Sequence, residues 1–268
     1  MYEEFYGLRE KAFSKTPDPR FLYLSEAHQE ALAQLEYAVE EKEIAVLTGE
    51  IGTGKTLISR ALMDRLDDES YVIANVINPA LRPAGFLRVV AQELGVNEPG
   101  KTKRELIDQL QALLLQMNEQ AKTPVVLVDE SQLIPGKDVF DEIRLLTNFQ
   151  LDTENLISII FIGQPELATR LKKAPYRPLA QRIGAECHLG PLETEDTGKY
   201  LEHRLRTAGA SRSIFDEGAK QAVHARTKGT PRAINNLATQ CLLEGFAREN
   251  EVITAPTVEK VAQSMRFL

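Results

Sequence analysis

Ile44-Ala45-Val46-Leu47-Thr48-Gly49-Glu50-Ile51-Gly52-Thr53-Gly54-Lys55-Thr56 is an apolar run that ends in the spacing G-x-x-x-x-G-K-[ST]. A strand-length apolar stretch followed by this pattern reads as a strand, a phosphate-binding loop and the start of a helix. The glycines permit backbone angles that other residues resist, so successive N–H groups can converge on phosphate oxygens at the positive end of that helix. Gly49, Glu50, Ile51, Gly52, Thr53, Gly54, Lys55 and Thr56 are therefore the candidate phosphate-binding residues. Lys55 is expected to reach the β- and γ-phosphates, and the Thr56 hydroxyl to ligate Mg²⁺.

Further along, Thr123-Pro124-Val125-Val126-Leu127-Val128-Asp129-Glu130 is a β-branched and aliphatic run closed by two carboxylates. A strand buried on both faces has this composition, and parallel sheets place their ligands at the strand's C-terminal end. Asp129 is the expected second Mg²⁺ ligand, and Glu130 the general base that polarises the attacking water. Together with the phosphate loop, the acid pair points to hydrolysis of Mg-ATP. A further strand is expected over 156–162, closing with Gly163-Gln164-Pro165-Glu166. Gln164 at its tip is a candidate for hydrogen bonding to the water or the γ-phosphate, or else a turn-forming polar residue. Beyond it lie Arg170, Lys172, Lys173, Arg177 and Arg182. Phosphoryl transfer benefits from an arginine supplied by a neighbouring subunit, whose planar charge offsets the charge developing on the phosphate.

The remaining chain sets limits. With 268 residues, of which 43% are hydrophobic, it can bury a large α/β domain plus a smaller one. A net charge of −7 excludes a surface coated in basic residues, although a local basic stripe can still meet DNA. Lys101, Lys103 and Arg104 at a helix start are the candidate contacts for double-stranded DNA, against the simpler reading of a solvated face. Cys187 and Cys241 have no C-x-x-C spacing and read as buried thiols in a reducing compartment, so a cytoplasmic location is expected. No signal peptide and no run of about 18 apolar residues is present, so no transmembrane segment is expected.

Residues 1–24 read as an aromatic, proline-punctuated arm that either flanks an adenine ring or simply packs on the core. Residues 25–190 read as an α/β nucleotide-binding domain. A helix follows Ser25, strands are expected at 44–47, 71–77, 123–128 and 156–162, and helices at 83–94 and 103–117, an alternation that implies parallel pairing. Residues 191–268 read as an all-helical lid, with helical periodicity over 194–207, 216–228, 231–248 and 256–265. His28, His188, His203 and His224 are scattered and suggest no metal site.

Residues 2–24, the loop at 49–56, Val128-Asp129-Glu130-Ser131-Gln132, Ile162-Gly163-Gln164-Pro165-Glu166-Leu167 and Gly229-Thr230-Pro231-Arg232-Ala233-Ile234-Asn235 resemble the AAA+ ATPases of the general secretion pathway protein A (ExeA-like) family. The resemblance implies a P-loop AAA+ core, a parallel sheet sandwiched by helices, with a small helical lid. It implies Walker A at 50–56, Walker B at Asp129 and Glu130, and sensor 1 at Gln164. Arg182 takes the arginine-finger place, with Arg177 as its rival, and Arg232 is sensor 2. It further implies self-association into a ring or helical filament and a partner in a secretion machine. Secretion members carry a membrane span and a peptidoglycan-binding part after the ATPase. Neither is present up to Leu268, which leaves open a truncated or stand-alone relative. The same core resembles the TnsC, TniB, IstB and MuB transposition regulators, which implies ATP-dependent DNA binding and delivery of a transposase as the alternative.

Overall fold

The computed structural model describes residues 1–14, 18–151 and 154–265. Thr16 and Pro17, two of the residues used to divide the arm, lie outside them. The chain forms two compact units: His28–Ile51 with Ile58–Leu189, and Met1–Ala27 with Gly52–Leu57 and Gly190–Leu268.

The first unit is built on five parallel strands: β1 (Ile44–Gly49), β2 (Tyr71–Val76), β3 (Thr123–Val128), β4 (Ser158–Gly163) and β5 (Ile183–Leu189). Their order is β2-β3-β4-β1-β5. Every residue of β1 and β4 is buried, as are all but the first of β3, which is why these segments are apolar on both faces. The edge strands differ. β5 buries only Cys187 and Leu189, and its sequence lacks a continuous apolar run, so the periodicity reading stops at four strands.

The helices of the chain, in order, are α1 (Tyr2–Phe5), α2 (Glu26–Glu40), α3 (Lys55–Arg65), α4 (Pro83–Glu93), α5 (Lys103–Glu119), α6 (Lys137–Leu146), α7 (Pro165–Leu171), α8 (Arg177–Ala180), α9 (Thr194–Thr207), α10 (Glu217–Thr227), α11 (Pro231–Ala247) and α12 (Ala255–Ser264). Leu32, Leu35, Ala38 and Val39 of α2 are fully buried, one stripe at helical spacing. Phe86 and Val90 of α4, Leu106 and Leu110 of α5, and Phe140 of α6 share a core with Val126, Val128, Ile159 and Phe161. Removing such side chains from water stabilises by roughly 1.5–3 kcal/mol each. α5 begins with a capping box: Glu105 N–H donates to Thr102 Oγ1 at 3.2 Å, and Thr102 N–H to the Glu105 carboxylate at 3.1 Å.

The second unit is helical and gathers α9 to α12 around Leu201, Leu237, Leu242 and Val258. The arm belongs to this core. Tyr2, Tyr6, Leu8, Phe13 and Phe21 are all buried in it. Tyr6 Oη donates to the Asn250 carbonyl at 3.0 Å, and Arg9 N–H to the Ala208 carbonyl at 2.7 Å. Burial moves the Tyr6 phenol up to about 12. Both cysteines are free and buried, with Cys187 pushed up to about 11 and Cys241 to about 12, chiefly by desolvation.

Candidate nucleotide site

Because β1, β3 and β4 run parallel and adjacent, their C-terminal tips emerge on one edge of the sheet. Val128 is level with Phe161 of β4, and Gly163 with Thr48 of β1. The register therefore puts Gly49, the Asp129–Glu130 pair and Gln164 at neighbouring strand ends, where open parallel sheets bind ligands. Asp129 N–H donates to the Val76 carbonyl at 3.0 Å, and Asp129 Oδ1 accepts from Glu130 N–H at 2.8 Å. Glu130 is exposed and sits in the left-handed region at φ +49°, ψ +37°. A residue with a Cβ costs roughly 1–2 kcal/mol there, and such outliers gather at functional positions. The turn that follows is closed by the fully buried Ser131, whose Oγ donates to the Val128 carbonyl at 2.6 Å.

β1 leads through the loop into α3 at Lys55. Gly52 has φ +85° and Gly54 φ +109°, which the glycine spacing was expected to supply. Gly52 is required for a second reason: a Cβ there would sit 2.8 Å from Arg232 Cβ and 3.4 Å from Thr230 Cγ2. Arg232 N–H faces the Gly52 carbonyl at 3.4 Å. The start of α11, with Pro231 at its first position, is thus closed onto the loop. The exposed Arg232 side chain has no hydrogen bond or ion pair among the described residues.

A cavity of about 390 Å³ opens in this second unit, lined by Gly52, Gly54, Lys55, Thr56, Arg232 and Arg204 among others. That is within the range of roughly 300–1,000 Å³ usual for small-ligand sites. The sequence reading does not single out Arg204. It is only 6% exposed and has no carboxylate within ion-pair distance among the described residues. Its Nε donates to the Ala12 carbonyl at 2.7 Å and its Nη1 to Tyr200 Oη at 2.9 Å. Its guanidinium carbon lies 5.2 Å from the Phe21 ring centre and 5.6 Å from that of Tyr200. Tyr200 Oη in turn donates to Asn235 Oδ1 at 2.8 Å, which leaves the Asn235 amide nitrogen as the available donor. The signal in the sequence is the i, i+4 pair Tyr200 and Arg204 on α9, legible only once the arm is known to pack there.

The other predicted residues fall as follows. Gln164 precedes α7, and its main-chain N–H is bonded to Gln132 Oε1 at 3.0 Å. Arg182 lies just before β5, whose Ile183 pairs with Ile44, so within this unit it sits at the end of the sheet opposite the strand tips. Its guanidinium donates to Thr147 Oγ1 at 2.6 Å and Asn148 Oδ1 at 2.5 Å, whereas the exposed Arg177 has no side-chain partner among the described residues. Lys103 is ion-paired with the buried Glu142 at 2.5 Å, and Arg104 lies 3.8 Å from Asp108. Of the basic cluster, Lys101 has main-chain bonds alone among the described residues. No group of three or more His, Cys, Asp or Glu side chains suited to a metal occurs among the described residues. A lone hydroxyl and a lone carboxylate suit Mg²⁺, which keeps several waters and is held largely by substrate phosphates.

A parallel sheet of this order, with a glycine loop leaving the interior strand β1 and an acid pair at the tip of β3, defines a P-loop nucleotide-binding protein of the AAA+ class. The comparisons agree. The model of the AAA domain family matches residues 38–171, and the chain belongs to that family. It is 41% identical over 256 residues to general secretion pathway protein A of Aeromonas hydrophila, a match covering 94% of this chain and 46% of that protein. The chain thus spans about half the length of this relative. Among solved structures, it is similar to the Aeropyrum pernix ORC2 protein in its ADPNP-ADP complexes, with a TM-score of 0.70 and 17% identity over 97% of this chain and 72% of that one. It is also similar to the Thermotoga maritima RuvB Holliday junction branch migration motor, with a TM-score of 0.56 and 17% identity over 89% and 68%. These last two likenesses concern the fold.

Proposed function

We propose that the chain binds and hydrolyses Mg-ATP, with hydrolysis completed by an arginine from a neighbouring subunit, and that it serves an assembly step of an envelope or secretion machine. The observation that carries the nucleotide reading is the loop itself: two left-handed glycines, one of them packed against Arg232, beside a cavity lined by Lys55, Thr56 and Arg232. Main-chain N–H groups of residues 49–56 and the Lys55 ammonium bind the β- and γ-phosphates. Thr56 and Asp129 are the protein ligands of Mg²⁺, which, when bound, offsets phosphate charge. Glu130 takes the proton of the attacking water. Arg232 at the head of α11 responds to the γ-phosphate, and Arg182 or Arg177 is presented to the next subunit in a ring or filament.

The secretion reading is supported by the similarity to general secretion pathway protein A. The alternative, ATP-dependent DNA binding in transposition, draws less support, because Lys103 is neutralised by Glu142 and Arg104 stands near Asp108. The test separates binding from chemistry. Lys55→Ala is expected to abolish ATP binding, whereas Glu130→Gln keeps it and slows hydrolysis by about 10²–10⁴-fold, the usual contribution of a positioned base. Specific activity is expected to rise with protein concentration. Equal turnover by Glu130→Gln and the parent chain refutes the role of Glu130.

A further inference from the structure

The turn after β3 places two side chains in an arrangement that the roles assigned above do not use. Gln132 lies between the end of β4 and the Glu130 carboxylate. Its Oε1 accepts from Gln164 N–H at 3.0 Å, and its Nε2 donates to Glu130 Oε2. The amide orientation follows from this chemistry. A flipped amide would set two donors face to face at Gln164 and two acceptors face to face at Glu130. Room for the bridge is made by Gly163, whose φ is not left-handed and which therefore serves space rather than conformation. A Cβ on Gly163 would lie 2.8 Å from Gln132 Oε1 and 3.0 Å from Leu167 Cδ2. The left-handed backbone at Glu130 and the buried Ser131 turn bring Glu130 and Gln132 to the same side.

We propose that Gln132 is a positioning residue: it ties the Glu130 carboxylate to the tip of β4, so that one carboxylate oxygen is held and the other is presented to the attacking water. This rests on Glu130 acting as the general base. Glu130 is exposed, and a free glutamate there would sample several rotamers at little cost; a charge-assisted hydrogen bond from a side chain anchored on the neighbouring strand removes most of that freedom. Only a side chain carrying both an acceptor and a donor at its end, with glutamine's length, makes both bonds. The bridge also gives a route by which displacement of the Gly163–Gln164 segment changes the aim of Glu130.

The experiment uses the full chain. Gln132→Ala is expected to lower kcat about tenfold with KM and Kd for ATP within about twofold of the parent, a loss of about 1.4 kcal/mol in transition-state stabilisation. Gln132→Glu, which still accepts from Gln164 N–H but cannot donate to Glu130, is expected to lose at least as much. In a Glu130→Gln background, Gln132→Ala is expected to add nothing, since it acts through Glu130. Independently of activity, hydrogen exchange at the Gln164 amide is expected to quicken in Gln132→Ala and to stay slow in Gln132→Glu. Unchanged exchange in Gln132→Ala, an unchanged or raised kcat, or full multiplication of the two effects in the double variant overturns the proposal. A parent chain that binds ATP but does not hydrolyse it would instead refute the ATPase reading, and the exchange result would still decide the bridge.

Discussion

Replacing Gly52 by alanine perturbs the site in two separable ways. The backbone there has φ +85°, which for an alanine costs roughly 1–2 kcal/mol. The added methyl would also stand 2.8 Å from Arg232 Cβ, at least 0.6 Å inside ordinary contact, and Arg232 Cβ cannot move without shifting the first turn of α11. The conformational part alone is expected to lower Tm by about 2–8 °C for a chain of this size. The steric part pushes the head of α11 away from the loop, weakening nucleotide binding. The assay is thermal unfolding with and without an ATP analogue, alongside analogue affinity. In an Arg232→Gly background the methyl has no Cβ to meet, so Gly52→Ala is expected to cost only its conformational part and to lose less of the analogue's stabilising effect. Parent-like Tm and affinity for Gly52→Ala would refute the closure of α11 onto the loop.

Arg204→Met removes the hydrogen bonds to the Ala12 carbonyl and Tyr200 while keeping much of the volume. A loss of about 1.5–3 kcal/mol in denaturant unfolding is expected, with Arg204→Lys failing to restore the paired geometry; full stability in either variant would show that the arm is held by its aromatic residues alone. In the helical unit, Lys220 bonds Glu202 at 2.5 Å, and this hydrogen bond is the main reason the Glu202 carboxyl is held below its usual value of 4.5. Because a depressed carboxylate stabilises the fold above its unfolded value and loses that contribution as pH falls through the folded one, stability is expected to drop below about pH 4.5. Glu202→Gln is expected to flatten that dependence, as measured by unfolding across pH 3–6.

The P-loop and the central strands of the sheet were legible because each needs a local pattern. The phosphate loop requires its glycines at fixed spacing, and β1, β3 and β4 require continuous apolar runs because both faces are covered. Helix α11 announces itself by Pro231 at its start, and the stripe on α2 by its period. Edge strand β5 was not legible, since a strand half exposed has no apolar run to distinguish it from a loop. The arm left two readings open in the sequence; its aromatic residues are buried with α9 and α11, and Phe21 also lines the cavity beside the loop, long-range facts that no local pattern encodes.

What the sequence determined by itself is the phosphate-loop spacing, the apolar strands and the carboxylate pair that follows one of them, because backbone angles and burial on both faces constrain residue type at close range. What only the tertiary structure decided is who touches whom. The residues that hold Arg204, the methylene of Arg232 that makes Gly52 indispensable, the Glu142 that neutralises Lys103, and the glutamine that links β4 to Glu130 all join segments remote in the chain. Gln132 and Gln164 are 32 residues apart, and their hydrogen bond exists because β3 and β4 lie side by side in the sheet. Packing sets that adjacency, and packing energy is spread over the whole core rather than written at any one position.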